Sequence, residues 1–161
     1  GCASVSLLLM VFIKPSNLNR IRGIIREMSY ISEMTLIGGL FMLSVGTYLG
    51  GVWANESWGR YWGWDAKETW ALVSILVYAF ILHLRLVPKV AGLFAYNFAT
   101  LFGLSSIIMT YFGVNYYLSG LHSYAAGDPV PIPEWVYYAV ASLIVISLIA
   151  FIRAKKVGLK A

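Results

Sequence analysis

From Met34 to Trp53 the chain carries no charged residue, and as a helix this run covers the ~30 Å hydrocarbon core of a bilayer. Comparable apolar stretches follow over 69–87, 90–118 and 135–152. Residues 1–13 are apolar but too short to cross alone, and read as the tail of a span. Lipid offers a bare amide or carbonyl no water, so runs of this length are helices, whose backbone bonds are all internal. The fold class that follows is all-α. It is a polytopic membrane helical bundle, with four spans preceded by a partial one. Composition agrees, because 60% of the residues are hydrophobic and only 12% are charged, about half the ~25% usual in soluble domains. That excludes intrinsic disorder and argues against a water-soluble globule. No repeat, low-complexity tract or soluble domain interrupts the pattern. The single cysteine, Cys2, forms no disulfide within the chain, and without a CxxCH this is not itself a c-type cytochrome. The chain opens at Gly1 inside an apolar run, which suggests the C-terminal portion of something longer.

Between the spans the polarity alternates. Residues 14–33 hold Lys14, Arg20, Arg22 and Arg26, with Ile21, Ile24, Ile25 and Met28 at helical spacing, the pattern of an amphipathic segment on the membrane surface. A span over 34–54 leads to a polar, tryptophan-rich loop over 55–68, then to the span 69–87, which Pro88 ends. The stretch 90–118 is long enough to tilt or project, and 119–134 is a loop with Gly120, Gly127, Pro129, Pro131 and Pro133. The last span, 135–152, precedes a basic tail over 153–161. Lys14, Arg20, Arg22, Arg26, Arg85, Lys89, Arg153, Lys155, Lys156 and Lys160 fall on one side of the membrane, and Arg60 and Lys67 on the other. Ten against two places the first set in the cytoplasm and both the 55–68 and 119–134 loops outside. The net charge of +5 is therefore a topology signal, and no nucleic-acid partner is expected.

Five tryptophans fall between Trp53 and Trp70. Trp53, Trp70 and Trp135 flank spans, where an aromatic belt accounts for them. Trp58, Tyr61, Trp62 and Trp64 lie between spans and alternate with Gly59 and Gly63, which would let a flat ligand approach the backbone. Such large rigid rings form a platform for a planar hydrophobic molecule. Asp65 and Glu68, three residues apart before an apolar helix, also form a capping-box pattern that needs no ligand.

The run Trp58-Gly-x-Tyr-Trp62-x-Trp64-Asp65-x-Lys67-Glu68-Thr69-Trp70 resembles the WWD motif of haem-handling proteins that mature cytochromes c. Its Lys-Glu-Thr-Trp end is most similar to the CcsA/ResC family, the haem-carrying subunit of the System II cytochrome c synthase. The CcmC and CcmF proteins of System I share the tryptophan core but diverge after the aspartate. Ala66 departs from the proline of many relatives; proline there mainly preorganises the first helical turn, so the change is mild.

His83 and His122 are the only histidines. An ionisable residue inside a span is costly and usually functional, and His83 lies fourteen residues beyond Thr69, about 21 Å along a helix. A loop histidine such as His122 is commonly just solvated. The resemblance gives both a role: His83 as an axial ligand of a transmembrane haem, and His122 as an axial ligand of an external haem beside the WWD segment. Their partner ligands are then expected upstream of Gly1. It further implies haem b as cargo, aromatic walls from Trp58, Tyr61, Trp62 and Trp64 with Asp65 alongside, and propionate contacts from Arg60 and Lys67. The implied activity is that of a cytochrome c haem lyase subunit, in a bacterial plasma membrane or a thylakoid membrane. Its partners would be apocytochrome c, a CcsB/ResB-type subunit, the rest of its own chain and membrane lipid. The alternative is a haem exporter or carrier of the CcmC type, without ligation activity.

Overall fold

The computed structural model describes residues 1–88, 91–118 and 131–159, and among them there is no strand. Helix α1 is Cys2–Val11, α2 Leu18–Trp58, α3 Ala66–His83 and α4 Leu93–Ile108. A π turn at Met109–Gly113 carries α4 into the short α5, Val114–Tyr116, and α6 is Glu134–Lys156. Four helical stretches are long and apolar enough to cross a membrane: Pro15–Trp58, Ala66–Leu86, Leu93–Tyr116 and Glu134–Lys156. The partial N-terminal span is a fifth, shorter apolar helix outside that count. Met34, Phe41, Phe80, Phe102 and Tyr138 stand largely exposed on these helices. In water so much exposed apolar surface is a liability; against acyl chains it costs nothing. This is an integral membrane protein.

The helix does not break at residue 33, where the basic segment is expected to meet the span. α2 runs unbroken for 41 residues, about twice the ~20 a span needs. Pro15 opens the 3₁₀ turn Pro15–Asn17, where the Lys14 N–H donates to Asn17 Oδ1 at 2.7 Å, and no proline follows to stop the helix before Gly59. The basic segment is thus the first part of the same helix as the span. Its apolar stripe is real but faces protein: Ile21 and Ile25 are buried, while Ile24 is exposed.

The chain forms two compact units. One comprises 1–35, 81–102 and 132–161. In it α1 packs on α6, and Leu7, Met10 and Ile13 share a core with Ile21, Ile25, Ala150, Ala154 and Leu159. The alanines, four residues apart, let helices approach closely. α6 continues four residues past Ile152 and ends on Gly158 (φ 68°). The Leu159 N–H donates to the Ala154 carbonyl at 2.9 Å and that of Gly158 to Lys155 at 3.3 Å, a Schellman cap that turns Leu159 into the core. The tail is therefore partly folded.

The other unit comprises 36–80 and 103–131. Its described part joins α3 to the π turn through Thr110. The Thr110 hydroxyl lies 3.0 Å from the Trp70 carbonyl, 2.9 Å from Ser74 Oγ and 2.7 Å from the Ser106 carbonyl. A β-carbon on Gly113 would meet the flexible end of the Met109 side chain, which would have to shift. Residues 119–130, which carry His122, lie outside the described residues.

The charge distribution makes orientation testable. A reporter fused after Ala161 is expected to behave as cytoplasmic and one inserted near Asp128 as external. Activity of an alkaline phosphatase fusion at Ala161 would overturn that orientation.

Candidate functional site

Residues 59–65 connect α2 to α3 and hold Tyr61, Trp62 and Trp64 of the tryptophan segment. The connection is shorter than the expected 55–68 loop because helix occupies both flanks. α2 stops where Gly59 turns left-handed (φ 71°), its N–H donating to the Asn55 carbonyl at 2.8 Å. Gly63 is covered by Arg60: a β-carbon there would lie 3.0 Å from the guanidinium carbon. Gly59 has open space around it, while the Arg60 side chain lies over Gly63. One ends a helix and the other seats an arginine. The glycine admitting a close backbone approach is Gly51 on α2, where a β-carbon would lie 3.1 Å from the Tyr61 carbonyl oxygen. The Gly50-Gly51 pair within an apolar helix was the available signal.

Trp64 is the one described non-glycine residue with positive φ, at 55°. That conformation costs an L-residue on the order of 1–2 kcal/mol. It is held by Glu68, whose Oε2 accepts the Gly63 N–H at 2.7 Å and the Asp65 N–H at 3.3 Å. α3 starts at Ala66, so Glu68 is the third helical residue reaching back to the residue before the helix, half of the expected capping box. Hydrogen bonds to a charged acceptor contribute about 1.5–3 kcal/mol each, enough to offset the backbone strain.

Among the described residues Trp53 pairs edge-to-face with Trp58 at 5.0 Å between centroids, and Trp62 with Trp64 at 5.8 Å. Trp64 is 72% exposed, whereas Trp62 is half-buried. Tyr61 and Trp62 line a groove of about 490 Å³ with Ile75 of α3 and with Ser44, Thr47, Tyr48 and Gly51 of α2. Small-molecule sites commonly measure about 300–1,000 Å³. Ser44 and Thr47 spend their hydroxyls on the Leu40 and Leu43 carbonyls, both at 2.8 Å, which leaves the wall mainly apolar. Trp62 Nε1 is buried and has no partner among the described residues. An indole N–H can only donate, so this atom calls for an acceptor. Trp58 and Trp64 do not line the groove. Of the two cations, Arg60 is exposed against Gly63, and Lys67 Nζ donates to the buried Asn115 Oδ1 at 3.1 Å. An ammonium has three protons, so Lys67 can serve a second acceptor.

In the other unit His83 is exposed and is the last residue of α3. Two residues on, Arg85 pairs with Glu33 (Nη1 to Oε2, 3.0 Å), with its guanidinium 5.0 Å from the Tyr30 ring centre and 4.4 Å from that of Tyr96. By sequence alone Arg85 is one of the ten basic residues that set the topology. Its acidic partner just before the apolar run was the missed signal. No three His, Cys, Asp or Glu side chains gather into a metal site among the described residues.

The model of the cytochrome c assembly protein family matches residues 1–122. The chain belongs to this family. Among its curated relatives, Protein NrfI of Wolinella succinogenes is 53% identical over 127 residues, 79% of this chain and 14% of that protein. The cytochrome c biogenesis protein CcsA of Lactuca sativa is 43% identical over 103 residues, 64% of this chain and 32% of CcsA. CcsA of Synechococcus sp. strain WH7803 is 47% identical over 98 residues, 61% and 30% of the two chains. The matched region thus spans under a third of each relative's length. The resemblance read from the tryptophan motif and the family match agree.

Proposed function

We propose that this chain is the part of a cytochrome c synthase that carries haem b across the membrane and presents it to apocytochrome c. Membership in the cytochrome c assembly family supports a role in cytochrome c biogenesis. The observation that carries the haem reading is the buried, unpartnered Trp62 Nε1 at an apolar, aromatic-walled groove. A flat macrocycle with carboxylate arms offers both an apolar face and an acceptor. In this reading His83 supplies one axial bond to haem in the membrane and His122 one to haem outside, where Trp58, Tyr61, Trp62 and Trp64 form the surrounding aromatic surface. Asp65 starts α3, while Arg60 and Lys67 face the propionates as charge-assisted donors. A CcsB/ResB-type subunit completes the assembly.

Two imidazoles on the iron keep it from wrong ligands until the histidine of an incoming CxxCH replaces one of them. Each apocytochrome thiol then adds across a vinyl group: sulfur bonds to the carbon next to the ring, the proton goes to the terminal carbon, and nothing leaves. The cofactor supplies the reactivity, and the protein contributes orientation and effective concentration.

The full-length protein, co-expressed with an apocytochrome bearing CxxCH, should yield haem that stays on the cytochrome after denaturation. A purified protein that holds haem but leaves the cytochrome unmodified would select the carrier reading instead. Absence of any chromophore would overturn both.

A further inference from the structure

The carboxylate of Glu68 is placed where it does more than begin a helix. Its Oε2 takes the N–H groups on both sides of Trp64, from Gly63 at 2.7 Å and from Asp65 at 3.3 Å, and between them Trp64 is left-handed. The adjacent Gly63 would adopt that conformation without strain, yet it is not in it: a guanidinium sits over its α-carbon. The loop therefore holds its most exposed tryptophan in an unfavourable backbone state, with its ring edge-on to Trp62, whose buried N–H borders the groove. A strained residue persists only where its surroundings over-determine it, and here two hydrogen bonds to one carboxylate oxygen are that constraint.

We infer that Glu68 is a positioning residue: it clamps Trp64 in the left-handed conformation and so sets the pairing of Trp64 with Trp62 at the haem-facing surface. The inference rests on the haem reading only for its functional consequence. The clamp itself is a property of the loop.

Length and charge of the side chain both matter. Asparagine or aspartate at 68 is a methylene too short to reach back over two amides. Glutamine keeps a carbonyl oxygen at the right distance but loses the ionic share of both bonds, since bonds to ionised acceptors are roughly twice as strong as neutral ones. With the clamp gone, Trp64 relaxes to an ordinary backbone region and its ring swings away from Trp62. Simple capping predicts something different. A lost cap weakens α3 as a whole and does not act through one tryptophan.

The test uses the full-length protein labelled with 5-fluorotryptophan, in which the Trp64 ¹⁹F resonance is identified by its disappearance in Trp64→Phe. In Glu68→Ala that resonance should move and sharpen toward that of a free tryptophan, while in Glu68→Gln it should keep most of its native shift. An unmoved Trp64 resonance in Glu68→Ala overturns the clamp whether or not the protein holds haem. For function, external haem retained per membrane-inserted protein should fall about tenfold in Glu68→Ala and about threefold in Glu68→Gln, as expected for losing or weakening two charge-assisted bonds. In a Trp64→Ala background, Glu68→Ala should add less than about twofold, because the two residues act as one unit. Equal losses from Glu68→Ala with and without Trp64 would show that Glu68 acts elsewhere and overturn the positioning role. Glu68→Gln guards against a folding failure: if it keeps the native Trp64 resonance but loses haem as completely as alanine does, the clamp is not the cause and the inference fails.

Discussion

In the full-length protein His83→Ala should deplete haem at both proposed sites, whereas His122→Ala should leave the membrane haem loaded and abolish cytochrome maturation. The reason is geometric. His83 closes α3, whose opposite end starts directly after the tryptophan segment, and the fourteen residues from Thr69 to His83 rise about 21 Å. One iron holds both axial ligands within a few ångströms, so a histidine at the far end of that helix cannot share haem with one beside the tryptophans. Two sites follow. If cargo moves outward from His83, losing the first site starves the second. Visible spectra of the purified variants, quantified as haem per protein, read this directly. Added imidazole should restore part of the maturation lost in His122→Ala, because it fills the vacant axial position. Equal loss of all haem in both variants would refute the order of transfer, and undiminished maturation in His122→Ala would refute its role as a ligand. The 161-residue chain alone brings one histidine to each site and should bind haem weakly, without a stable bis-histidine spectrum.

The second large effect concerns the rings. Replacing Trp62 and Trp64 together by alanine removes the groove's indole donor and its edge-to-face partner. Two lost aromatic contacts amount to roughly 1–3 kcal/mol, or about five- to 150-fold in external haem retention. Asp65→Asn should be much milder, since asparagine caps a helix about as well as aspartate. Haem per protein and maturation yield, compared across the two variants, check both statements. A defect in Asp65→Asn as deep as in the double variant would make the aspartate charge part of the haem site.

Much of this was legible in the residues. The uncharged run 34–53 and the apolar stretches after it required membrane helices, and Asp65-x-x-Glu68 marked the start of α3. The π turn at Met109–Gly113 was not legible, because an apolar run reads alike whether its turns are α or π. Nor were the roles of Gly59 and Gly63. A glycine in sequence advertises freedom without saying whether a turn, a neighbouring side chain or a ligand will use it.

What the sequence determined by itself was whatever depends on local chemistry: helices long enough for a bilayer, a basic charge bias, and a tryptophan motif specific enough to point to its family. These are summed along the chain, residue by residue, and need no knowledge of neighbours in space. The tertiary structure decided what depends on convergence. It made residues 18–58 a single helix and buried Ile21 and Ile25 against α1 and α6. It paired Arg85 with Glu33 and brought Gly51 under the Tyr61 carbonyl. It also left Trp62 Nε1 buried without an acceptor and assigned the loop's strained conformation to Trp64 rather than to either glycine beside it. Such contacts join residues far apart in the chain, or set two local preferences against each other, and only packing settles which preference yields.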